Sequence, residues 1–188
     1  MATTIGAYNL ATAEHADPRY YEPQRPTHFE FSCPALDDMI ANGNERIRLA
    51  VDSSSIPYYS QSPLTIKRGN TEIHFAGSIT FNTHTIKIID YIGAATKEVL
   101  VAWQKQSGDP STQMIGLAKD YKKLAYLIEY DPTFTAVRTW TLTGCWISGL
   151  QENDFDMSSG SESSMSISAT ITFDSAELSA GVDESAGL

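Results

Sequence analysis

The chain has 188 residues, 41% of them hydrophobic, and its 13 Lys+Arg against 23 Asp+Glu set a formal net charge of −10. That length supports one domain with a real core, and the acidity argues against clinging to DNA or an anionic membrane, where Lys and Arg carry phosphate binding. No uncharged apolar run approaches the ~18 residues of a membrane span, residues 1–5 lack the basic and apolar regions of a secretory signal, and two cysteines are too few for a disulfide scaffold, so a soluble protein made in the cytoplasm is expected.

Residues 1–26 read as an extended arm. Asp17-Pro18, Glu22-Pro23 and Arg25-Pro26 break helix and favour extended backbone. Tyr8, Tyr20 and Tyr21 suit an arm lying on another surface, and a disordered terminus is the alternative. Period-two alternation starts at 27–33, with Phe29, Phe31 and Cys33 on one side. Residues 34–44 read as a helical turn or loop. In 45–52, Ile47, Leu49 and Val51 alternate with Arg46 and Arg48 and predict a strand. Residues 53–63, rich in Ser and Pro and carrying Tyr58 and Tyr59, read as a loop. A hairpin pairs 64–68 with 71–75 about Gly69-Asn70, a turn pair suited to positive φ. Residues 79–89 are strand-like but change phase, Ile79 and Phe81 odd, Ile86 and Ile88 even, which requires a bulge or tight turn near Asn82-Thr83.

A helix is predicted over about 90–106. Asp90 is the expected N-cap, Ile92, Ala95, Val99, Ala102 and Trp103 recur at three- and four-residue spacing, and Gly108-Asp109-Pro110 stops it. Lys97, Glu98 and Lys105 lie on its other face, for solvent or a partner. Strands resume at 121–130, end in an Asp131-Pro132-Thr133 turn, and continue at 136–147, where Trp140, Leu142 and Trp146 share one face and Thr139, Thr141 and Thr143 the other. Residues 164–174 alternate almost perfectly: Met165, Ile167, Ala169, Ile171 and Phe173 against Ser164, Ser166, Ser168, Thr170, Thr172 and Asp174. Residues 157–164 form a polar, Ser-rich connection, and the small, acidic residues 175–188 read as a frayed tail.

Catalysis finds little support. No phosphate-cradling Gly loop, nucleophile elbow or His-Glu-x-x-His motif occurs, and no enzyme or cofactor is expected. His15, His28, His74 and His84 are scattered, so a metal site from them and Cys33 would need tertiary convergence. Glu152, Asp154 and Asp156 alternate like a calcium loop but lack its Gly and terminal Glu, and read as a solvated loop. Cys33 reads as a small buried hydrophobe, and a Cys33–Cys145 disulfide, or one between subunits, stays open. The unusual feature is the pair of hydroxyl ladders, Thr139/Thr141/Thr143 and Ser166/Ser168/Thr170/Thr172, nearly free of charge. They fit a sheet facing another subunit or a wet channel, or an ordinary solvated face.

Several segments taken in order resemble the tail tube proteins of contractile-tailed bacteriophages. They are Asp17-Pro18 through Phe29-Glu30-Phe31, Ser53-Ser54-Ser55-Ile56-Pro57, Thr65-Ile66-Lys67-Arg68-Gly69-Asn70, Phe75-Ala76-Gly77 and Ile86-Lys87-Ile88-Ile89-Asp90-Tyr91. The later ones are Leu100-Val101-Ala102-Trp103-Gln104-Lys105-Gln106, Tyr126-Leu127-Ile128-Glu129-Tyr130-Asp131-Pro132 and Arg138-Thr139-Trp140-Thr141-Leu142-Thr143-Gly144-Cys145-Trp146. Each motif is short; their joint order over 17–174 carries the resemblance.

The resemblance implies a mainly β fold over 27–174, an antiparallel barrel or sandwich with one flanking helix. Such subunits assemble into six-fold rings that stack as a hollow tube. Its implied partners are other copies of the chain, the tail sheath, the tape-measure protein, and baseplate and tail-terminator proteins, with double-stranded DNA in transit and no membrane insertion. The implied place is the virion tail, after assembly in the host cytoplasm. Type VI secretion and bacteriocin tubes share the fold and are the near alternatives. Ring closure would remove open strand edges. The Ser53–Pro63 loop is the expected ring-to-ring contact, with Ile56, Pro57, Tyr58 and Tyr59 as candidates, and Arg46, Arg48, Lys67 and Arg68 are the basic groups to watch in a bore. A different class, a monomeric β-sandwich binding module stacking ligands on Trp103, Trp140 or Trp146, is disfavoured because Trp140 and Trp146 fall on the Leu142 face.

Overall fold

A computed structural model describes residues 23–155 and 164–180, the side chain of Ala180 excepted. The arm with Tyr8, His15, Tyr20 and Tyr21, Asp156 with most of the Ser-rich connection, and residues 181–188 lie outside the described residues.

Strand β1 (Phe29–Ser32) passes through a 3₁₀ turn to helix α1 (Gly43–Ala50) and strand β2 (Val51–Ser54). A long hairpin follows, β3 (Tyr59–Arg68) and β4 (Thr71–Phe81), then β5 (His84–Ile89) and helix α2 (Thr96–Ser107). A short ribbon, β6 (Gly108–Asp109) with β7 (Met114–Ile115), and a helical turn α3 (Ala118–Tyr121) lead to β8 (Lys123–Tyr130), β9 (Ala136–Glu152), β10 (Ser166–Thr172) and β11 (Ser175–Ala180).

The main sheet runs β1-β8-β9-β10-β5-β2, antiparallel throughout, with β11 on the free flank of the first half of β9. It curls around a single core. Phe31, Leu127, Trp140, Leu142, Ile147, Ile167, Ile171, Ile86 and Ile88 point inward, and Ile47 of α1 with Val99, Leu100 and Trp103 of α2 close the remaining side. Among the described residues the sheet does not close into a barrel. β1 and β2 approach within 8 Å at Cα but share no ladder.

Local chemistry overrides several expectations. Residues 45–52 are not a strand: helical winding over Gly43–Ala50 buries Ile47 and Ala50, three apart, and leaves Leu49 exposed. Among the described residues there are therefore two flanking helices of two turns or more, not one. Helix α2 starts at Thr96, after Ala95 in the left-handed region (φ 52°), so Asp90 is not its N-cap. Asp90 instead accepts a hydrogen bond from the Thr96 hydroxyl at 3.2 Å across the intervening turn. The loop expected at 53–63 is strand from Tyr59 onward, because Tyr59 and Gln61 pair with Phe81 and Ile79, and Pro63 sits where the ladder breaks. The phase change near Asn82-Thr83 is the break between β4 and β5.

Gly144 decides the face of β9. Its φ of +73° and the register shift between Lys123 and Leu124 mark a bulge. A Cβ there would meet the Asp174 carboxylate at 2.3 Å, and Asp174 is held by Lys122 at 2.7 Å. Beyond the bulge the inward residues switch from even to odd numbers, so Cys145 and Ile147 are buried. Trp146 leaves the Trp140–Leu142 face and stands edge-on to Tyr121. Residues 175–180, expected as part of a frayed tail, form a strand instead. Ser175–Ala180 pairs with Thr143–Arg138, and Ala176 packs against the core.

Candidate assembly surface

The β3–β4 hairpin projects from this body. Its strands pair with each other along ten residues, yet among the described residues neither makes extended contact with any other element. At its root Tyr59 meets Phe81 edge-on and Phe81 meets Phe173 of the body, with centroids 6.0 and 5.7 Å apart.

Gly77 then resets β4. Ile79 pairs with Gln61, but Ala76 pairs with Pro63, so β4 carries one extra residue there. A Cβ on Gly77 would lie 2.1 Å from the Ser62 carbonyl oxygen, so only glycine fits. The result is an inversion. Ile79 and Phe81 share the face of Tyr59, whereas Phe75 and Ile73, paired with Leu64 and Ile66, fall on the opposite face. The other side of the distal half is polar: Thr65 bonds His74 at 3.0 Å, and Lys67 pairs with Glu72 at 3.5 Å. Leu64 is 56% exposed and Phe75 51%, with Ile66 and Ile73 only slightly less so. A two-stranded ribbon is marginal alone, and covering the exposed half of these four side chains would yield about 4 kcal/mol.

Of the loop candidates, Ile56, Tyr58 and Tyr59 are exposed and Pro57 is buried. Tyr58 also stands edge-on to Trp140 of its own core at 5.4 Å, so the loop is anchored at the hairpin root. The hydroxyl ladders lie on the side of the sheet away from the core. Thr143 is exposed, Thr139, Thr141, Ser168, Thr170 and Thr172 are half-buried, and Ser166 is buried. Cross-strand pairs extend them into a polar belt, with Thr85 beside Thr170, and Lys87 beside Ser168.

Other candidates are occupied by structure. Cys33 and Cys145 are buried free thiols, and desolvation pushes both up to about 12. Among the described residues no group of three or more His, Cys, Asp or Glu could hold a metal. Glu152 binds Lys97 at 2.6 Å. Arg46 donates to the Ala94 carbonyl and Arg48 pairs with Glu30 at 3.3 Å. His84 is fully buried: Ser54 and Ser55 hydroxyls lie 3.2 and 3.3 Å from its two ring nitrogens, Phe31 stacks on it, and burial lowers it to about 4.

A groove of about 750 Å³, with no counterpart among the motifs of the sequence, lies between the C-terminal half of α2, the β6–β7 ribbon and the bend of β9. Val101, Met114, Ile115 and Trp146 line it, and Ile115 is 85% exposed. Asp109 at its rim is held below the usual carboxylate range by the Ser111 hydroxyl, and Lys105 lies 3.6 Å away. The ribbon is two residues per strand, too short to leave a periodic signal.

By sequence, no family model and no curated protein matches the chain. By fold, it is similar to the tube-terminating cap of the anti-feeding prophage, at 12% identity and TM-score 0.63, over 85% of this chain and 92% of that one. A chain of the PVC sheath–tube complex in the extended state matches at 15% identity and TM-score 0.62, over 94% and 99%. A chain of the PVC sheath/tube terminator matches at 15% and 0.60, over 84% and 97%. Both PVC structures are of an extracellular contractile injection system. At these identities the likeness is one of fold, and it falls in the fold group that the sequence motifs resemble.

Proposed function

We propose that this chain is a structural subunit of a hollow tube in a contractile particle, assembled as stacked six-fold rings inside a sheath and acting as the conduit of a phage tail. The observation that carries this reading is the hairpin. Its distal apolar face is covered by no other described element, and a second chain would cover it. Ile56, Tyr58 and Tyr59 at its root, with Tyr59 on the opposite face of the ribbon, are candidates for a second contact. A contact between unlike surfaces of identical chains propagates head to tail, closing as a ring or running on as a filament. The hydroxyl ladders face the neighbouring copy or the bore. Six copies of a chain at −10 carry −60, and a bore lined by hydroxyls and acids would let a polyphosphate slide. A second reading, the tube of an extracellular contractile injection system, is favoured by the structural neighbours themselves. Mass measurement of the purified protein tests assembly. The expected species is six times 20.6 kDa, about 124 kDa, or stacks of it. A 20.6 kDa monomer at all concentrations contradicts it and favours the binding-module class.

A further inference from the structure

We infer that the Ser54–His84–Ser55 cluster at the neck of the hairpin is an acid-operated latch: a proton on His84 frees the neck while the core of the sheet stays folded. The chain leaves the body at residues 55–58 and returns at 82–83. The β2–β5 ladder ends where Ser54 faces Ile86, and beyond it Ser55 takes over. The Ser55 N–H donates to the Thr85 carbonyl at 2.9 Å, and its hydroxyl oxygen accepts the Thr85 N–H at 2.8 Å. One serine therefore ties the outgoing segment to the returning one, and His84 Nδ1 touches the same hydroxyl at 3.3 Å. The latch belongs to the single chain, whatever that chain assembles into.

The hydrogen bonds suit only a neutral ring. The Ser54 hydroxyl donates to the Ser55 carbonyl at 3.3 Å, so its oxygen accepts from the His84 Nε2–H at 3.2 Å, and the partners assign that tautomer. Nδ1 is then the acceptor of the Ser55 hydroxyl proton. A second ring proton would sit on Nδ1 and face the Ser55 O–H, donor against donor. The bond to Ser55 would be lost, and a charged ring would be left without water in a fully buried position. Phe31, stacked on the ring, and Ile171, opposite it on β10, supply no counter-charge. The charged groups on the surrounding strands are already paired. Glu30 of β1 is held by Arg48, Asp52 of β2 by Lys87 of β5, and β10 carries no charge. Burial alone accordingly lowers the ring to about 4. The shortest way to water runs outward past Ser55, which is exposed, and not through Phe31, Ile86 and Ile171, which are fully buried. Displacing Ser55 unties it from Thr85 and leaves the hairpin held by the aromatic contacts at its root.

Mass-detected hydrogen exchange on the full chain tests the latch, with exposure times scaled to the intrinsic exchange rate at each pH. In the closed neck His84 titrates at about 4, and in the open neck it regains 6.5. Opening should therefore rise roughly 70-fold between pH 7.5 and 4.5. Residues 53–58 and 82–86 should lose protection by that factor, while 124–130 and 138–147 keep theirs. His84→Gln offers one donor and one acceptor and takes no proton, so its neck should keep the same protection across that range. Equal loss in neck and sheet overturns the proposal, because the proton then unfolds the core, and so does a neck whose protection never changes. A neck that opens in acid as much in H84Q as in the parent assigns the effect to other groups and overturns it too. If H84Q does not fold, the parent decides. Its neck opening must share a midpoint with the NMR titration of the His84 ring, and a mismatch overturns the proposal.

Discussion

His84 shows how a single side chain is committed by its surroundings. It links the strand leading into the hairpin, through Ser54 and Ser55, to the strand leading out of it, and its ring is fully desolvated. Its folded value of about 4 lies below the ordinary 6.5. Between those values the unfolded chain takes up a proton that the folded chain refuses. Folding stability is therefore intact above pH 6.5 and falls as the pH drops towards 4, by on the order of 3 kcal/mol from this group. Urea unfolding at several pH values checks this: His84→Gln should flatten the slope between pH 6.5 and 4 relative to the parent, whatever its effect at neutral pH. A slope unchanged by the substitution would assign the acid sensitivity to other groups. The buried thiols follow the same logic. Removed from water, Cys33 and Cys145 stay protonated and act as small apolar fillers.

The hairpin is the element whose construction makes least sense for an isolated chain. Gly77 inverts it, so that its root packs on Phe173 and its distal face turns away. Replacing Leu64 and Phe75 together by Ser removes apolar surface that the single chain leaves largely in water. The monomer's unfolding free energy should change by less than about 1 kcal/mol. Each interface, in contrast, loses roughly 2 kcal/mol, a weakening of association of about 30-fold. Sedimentation over a concentration series reads the second effect and thermal melting the first. An assembly midpoint that does not move would remove the hairpin from the interface. Elements of this kind were legible in the sequence only in part. Strand β10 was, because its alternation is unbroken from Met165 to Phe173. The turn at Gly69-Asn70 was, because its chemistry is local. Trp146 was placed on the wrong face because one left-handed glycine, Gly144, shifts the phase of everything after it. Helix α1 was read as a strand because over eight residues Ile47, Leu49 and Val51 satisfy a period of two while Ile47 and Ala50 satisfy a helical one. Burial decided between them, and burial is a property of the whole fold.

At the scale of the molecule, a curled sheet with two described helices on its open side forms one core, and contiguous apolar surface is left exposed on the hairpin and in the groove. Neither surplus is visible from periodicity alone. Leu64, Ile66, Ile73 and Phe75 alternate as any half-buried strand does, and only the topology reveals that no second layer among the described residues covers them. The groove residues Met114, Ile115 and Val101 belong to separate short elements that tertiary structure brings together. The proposed assembly of identical copies would cover that surplus, and the chain shares its fold with components of contractile particles. Electron microscopy of the purified full chain over a range of concentrations tests that account most directly. It predicts six-fold rings with a central hole, alone or stacked into hollow tubes. Particles that stay dispersed and single at every concentration, including in the presence of a nucleating end component, would contradict it.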